Sequence, residues 1–125
     1  MTGHYRTSAL DEDIAHLDLE SVAYKVVLTE GWDLAKVDDV TQKYRAFLQV
    51  IRKYGQQEHI APTQEIDLFW HAHILDTQRY IEDCDLLFGS YLHHYPYSGV
   101  TSGKRDKEQA VRVSRTVQLI NQYLH

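Results

Sequence analysis

The chain has 125 residues, 43% of them hydrophobic and 25% charged, with a formal net charge of −5. That balance argues against disorder, and the lack of a Lys/Arg cluster argues against a nucleic-acid ligand, which needs a basic footprint. One cysteine makes no internal disulfide, no apolar run approaches the roughly 18 residues of a membrane span, and the N-terminus has no apolar signal segment, so the reading is a cytoplasmic protein, a single domain over 1–125.

In chain order, residues 1–10 are polar and expected to fray. Ile14, Leu17, Ser21, Tyr24 and Leu28 recur at helical spacing and predict a first helix over 11–30. Asp11, Glu12 and Asp13 favour its start through the helix dipole, and Gly31 is suited to end it. Val37, Val40, Tyr44, Phe47, Ile51 and Tyr54 form the most regular stripe, predicting a second helix with Asp33 as N-cap, Trp32 packed on Val37, and Gly55 at its end. Thr63, after Pro62, caps a third helix.

Asp76 is a good N-cap in its turn, with Thr77 opening another helix, so 63–88 reads as a hairpin broken near Leu75–Asp76–Thr77. The stretch GSYLHHYPYSGVTSG is then a long loop rich in tyrosine and histidine, of a length that is often functional. Ala110, Val113, Val117, Ile120 and Leu124 mark a last helix starting near Lys104. No strand pattern occurs. The expected fold is all-α, a single compact domain of four to five helices with the aromatic, histidine-rich loop before the last one.

The chemistry concentrates between Thr63 and Gly99, which hold four of the eight histidines and the only cysteine. Asp67 and His71 stand four apart, a spacing that lets a carboxylate meet an imidazole, either to share a metal or to orient the ring. His71 and His73 point about 200° apart on one helix and cannot chelate the same ion. On an unbroken helix His71 would lie about 27 Å from Gly89. The five steps from Gly89 to His94 reach at most about 18 Å. A site shared by Asp67, His71 and either His93 or His94 therefore requires the break at Asp76. Trp70 and His73 read as core, and Cys84 as a buried small hydrophobe. The loop tyrosines Tyr91, Tyr95 and Tyr97 read as packing residues.

The run Ile66-Asp67-x-x-Trp70-His71-x-His73-Ile74-Leu75-x-Thr77-x-x-Tyr80-x-x-x-Cys84, followed by Gly89 and His93-His94-x-Pro96, resembles the glycine-rich-domain-containing-protein-like family. The likeness is strongest over 62–99 and extends weakly to Gly31-Trp32 and Tyr44-x-x-Phe47-Leu48. It implies that Asp67, Trp70, His71, Cys84 and His94 are the marked positions, with His73 shared by only some members. A proline at the position of Thr77 in many members supports the break, since proline suits the first turn of a helix. The C-terminal glycine-rich extension of the plant members is missing here, so functions tied to it do not carry over.

Two readings follow. In the first, Asp67, His71 and His94 bind one divalent ion, with His73, His93 or Cys84 as alternates. That donor set suits Zn, Fe, Mn or Ni and permits a metalloenzyme. In the second, the chain is a non-catalytic helical interaction module whose polar residues form a hydrogen-bond network fixing one packing. No H-E-x-x-H, C-x-x-C or phosphate loop is present to name a reaction, substrate or partner.

Overall fold

A computed structural model of the chain describes residues 8–94 and 107–124 in full, and 103–106 by backbone alone. It is organised around the predicted aromatic-stripe helix, α3 (Leu34–Tyr54), which buries Val37, Val40, Tyr44, Phe47 and Val50 along one side. Asp33 caps it as expected, accepting from the Lys36 backbone N–H at 2.8 Å. Around it lie α1 (Glu12–Ala15), α2 (Glu20–Glu30), α4 (Gln64–Leu75), α5 (Thr77–Phe88) and α6 (Gly103–Asn121). No strand occurs among the described residues, and the helices share one hydrophobic core. Among the described residues there are six helices where four to five were expected.

The extra helix comes from the N-terminal segment. The predicted helix over 11–30 is two pieces, broken at 16–19, where the Asp18 side chain accepts from the Glu20 backbone N–H at 3.1 Å and starts α2 afresh. The break rotates α2. It buries Val22 and Val26, and leaves the expected core residues Tyr24 and Leu28 about two-thirds exposed, at 65% and 66%. Arg45 of α3 holds the α1 turn by donating to the Ile14 and Leu17 carbonyls at 2.9 and 2.8 Å. Arg52 adds a two-pronged contact to Asp13 and a further one to the Leu87 carbonyl, tying α1 and the end of α5 to α3.

Thr63 caps α4 as predicted, accepting from the Ile66 backbone N–H at 3.3 Å. The break falls at Asp76, whose backbone (φ −85°, ψ 72°) leaves the helical region. Its side chain caps nothing, however: it lies 3.4 Å from Arg79 Nε instead. Gly31 and Gly89 end α2 and α5 at φ 70° and 71°, the left-handed conformation that glycine adopts without a Cβ penalty. In α6 the buried side is Thr116, Leu119, Ile120 and Tyr123. Ala110, from the predicted stripe, is exposed.

Candidate functional site

The hairpin folded about Asp76–Thr77 brings position 73 against 80 and 83, and position 70 against 80, so these four residues share one patch. Here they are His73, Tyr80, Trp70 and Asp83, and Tyr44 reaches them from α3. Two hydrogen-bonded chains run through this patch.

The first is Tyr44–His73–Asp83. His73 is 1% exposed. Its Nε2 lies 2.7 Å from Asp83 Oδ2, and its Nδ1 lies 2.7 Å from the Tyr44 hydroxyl. A carboxylate only accepts, so the ring proton belongs on Nε2; Nδ1 is then the acceptor, and the tyrosine donates to it. Tyr44 and Tyr80 meet the imidazole edge-on, with centroids 5.7 and 4.9 Å away, and fix its plane. Burial lowers the His73 pKa below the ordinary imidazole value, against the opposing pull of Asp83. The proton directions agree. A second ring proton would face the Tyr44 oxygen and turn its hydroxyl hydrogen away, inside a side chain with no exposure. Burial also pushes the Tyr44 hydroxyl far above its usual range, so it remains a donor.

The second chain is Trp70–Tyr80–Leu92. Trp70 Nε1 donates to the Tyr80 oxygen at 2.9 Å, and the Tyr80 hydroxyl donates to the Leu92 carbonyl at 2.5 Å. This ties the segment 89–94 down across the hairpin as a strap. Cys84 lies beneath it at 2% exposure. Burial pushes its thiol up, with the Leu92 backbone and the Tyr80 hydroxyl pulling the other way. At the strap's end the His94 ring lies over Trp70, centroids 4.2 Å apart, and its Nε2 bonds Asp67 Oδ1. Tyr91 packs edge-on against both Tyr80 and His93.

The residues predicted to form one site are therefore divided. Asp67 meets His94 near the surface. His71, the expected partner of Asp67, is exposed one turn further along α4. His73 is in the core with both ring nitrogens engaged, Cys84 is under the strap, and His93 is on the strap's outer side. Among the described residues, no three His, Cys, Asp or Glu side chains are grouped to hold a metal ion. Asp67 and His71 do stand on neighbouring turns, but an i,i+4 pair is worth only about 0.2–0.5 kcal/mol. A ring already stacked on Trp70 is the stronger competitor for the carboxylate. Tyr95, Pro96 and Tyr97 lie outside the described residues.

Tyr44, Tyr80 and Asp83 are the polar residues that the spacing argument overlooked. Tyr44 was read as stripe core, which it is, with its hydroxyl as the additional feature. Asp83 becomes visible once the hairpin is folded about Asp76–Thr77, since it then lies one turn from His73 across the interface.

A family model described as UCP032817-like matches residues 19–121. The chain belongs to the UCP032817-like family. This corrects the resemblance to glycine-rich-domain-containing proteins: no family of that kind matches, and the matching family is uncharacterised. The marked positions implied by that resemblance go with it. Searches of curated proteins and of solved structures found no match. Among the described residues, no helix is long and apolar enough to cross a membrane.

Proposed function

We propose that this chain is a non-catalytic helical interaction module, in which Tyr44, His73, Asp83, Trp70 and Tyr80 form a structural network that holds the α4–α5 hairpin and its strap in one arrangement. The observation that carries this reading is the state of His73. The Nδ1 lone pair accepts from Tyr44, Nε2–H donates to Asp83, and the ring is closed to solvent. It has neither a free lone pair for a metal nor access for a substrate. Every fully buried side-chain nitrogen and oxygen among the described residues has a hydrogen-bond partner. Such a satisfied network specifies one packing of a core. The hairpin leaves Ile81 and Leu86 exposed beside Glu82 and Asp85, and this mixed apolar and acidic face is where the module would meet a protein partner.

The test compares His73→Ala with His71→Ala. The first strands a buried Tyr44 hydroxyl and removes the partner of Asp83, and should lower stability by about 2 kcal/mol or more. The second changes an exposed side chain and should stay within about 0.5 kcal/mol of wild type. The reverse order, with metal in the wild type that His71→Ala releases, would instead support a metal site built on Asp67 and His71.

A further inference from the structure

We propose that the α4–α5 hairpin is an acid-operated flap, in which α5 and the strap swing about Asp76 when the Tyr44–His73–Asp83 chain takes up one proton. Three observations combine. The hinge is the single non-helical residue between α4 and α5, and no side-chain cap holds it. Among the described helices α5 packs chiefly on α4, and it buries Tyr80, Cys84 and Leu87 in the shared core. Its polar ties to other elements include Arg52 on the Leu87 carbonyl, and Arg79 on the Asp18 carbonyl and beside the Asp18 carboxylate. The lock crosses the hinge, since His73 joins α3 to α5 through one hydrogen bond on each side.

Protonation acts on the lock because both of its bonds have fixed direction. With a proton on Nδ1, the imidazolium still donates to Asp83. It now also faces Tyr44 as a second donor, so the bond between them survives only if the buried hydroxyl hydrogen turns away. The titratable and charged groups around the ring are Tyr44 from α3, Asp76 at the hinge, and Arg79, Tyr80, Asp83 and Cys84 from α5. Arg79 is cationic and opposes the added charge, while Asp83 and Asp76 favour it. Burial is the largest influence and disfavours it. The proton is accommodated at little cost only where water reaches the ring, which is the open flap. Opening uncovers Trp70, Tyr80 and Cys84. The device goes beyond the interaction reading and operates with or without a partner.

Cys84 reports on it directly. The full wild-type chain is labelled with 4,4′-dithiodipyridine from pH 7.5 to pH 5.0. Each rate is divided by that of the urea-unfolded chain at the same pH, which cancels the thiol's own ionisation. For opening linked to one proton the ratio rises by up to tenfold per pH unit below about pH 6.5, while circular dichroism shows the helices retained. A ratio that stays flat over this range overturns the proposal, as does an equal rise in His73→Gln, whose side chain does not titrate. A second measurement needs no variant. Long-range proton–nitrogen spectra of the wild type should show the His73 proton on Nε2 at neutral pH. An Nδ1–H tautomer there, or a ring that becomes charged in the closed state above pH 6.5, also overturns it.

Discussion

Replacing Tyr44 with phenylalanine tests the buried chain with little other disturbance. The ring stays, so its packing 4.9 Å from Phe69 and 6.4 Å from Phe47 is preserved and no cavity opens. What is lost is one hydroxyl, which leaves His73 Nδ1 as an acceptor without a donor at a position water does not reach. Leaving such a group unsatisfied costs about 1–3 kcal/mol, against a net value near 1 kcal/mol for an ordinary hydrogen bond. For a domain of this size a loss of about 2 kcal/mol lowers the thermal midpoint by roughly 6–10 °C. Urea unfolding should show the midpoint shifted and the slope unchanged, since the same surface is exposed. A Tyr44→Phe protein within about 0.5 kcal/mol of wild type would refute the reasoning, because it would mean that the hydroxyl does not donate to His73.

Two further outcomes follow. His73 has a native pKa below its ordinary 6.5. Above that pH neither state carries the proton; below it the unfolded chain binds one first, so stability falls with pH until the native pKa is passed, at no more than about 1.4 kcal/mol per pH unit from this group. Stability curves of wild type and His73→Gln should diverge in that window, whereas Asp11 (held low by Gln49 and Arg52) and Asp13 (held low by Arg52) lose their contribution only below about 3.8. Asp76→Ala should change stability by less than about 0.5 kcal/mol, because that side chain caps no backbone N–H; a chemical denaturation midpoint showing a loss near 1 kcal/mol would restore it as a cap.

Much of the fold was legible because its punctuation is local. Asp33, Thr63 and Gly31 act where their chemistry predicts, and the break falls at Asp76 as expected, although its side chain does not make the cap that pointed to it. The N-terminal helix misled because Ala23, Val26 and Val27 offer a second apolar face beside Tyr24 and Leu28. Only the turn at Asp18 decides which face is buried. The site was legible in part. Asp67 and His94 do converge, and His73, Trp70 and Cys84 are core as their positions on the helices suggested. His71 was added to that pair because an i,i+4 neighbour is evident in sequence, while the ring contact of His94 with Trp70 is a tertiary event. His73 and Asp83 were missed as a pair because ten residues separate them, and only the hairpin geometry makes them neighbours.

In the function proposed above, the histidines and aspartates of this hairpin are structural rather than metal ligands. The most direct measurement is the metal content of protein purified without a histidine tag, together with its thermal midpoint before and after exhaustive chelation. Well under one equivalent of any transition metal is expected, with a midpoint that chelation leaves in place. Close to one equivalent of a single metal, with a midpoint that falls on chelation and returns on adding that metal back, would contradict it.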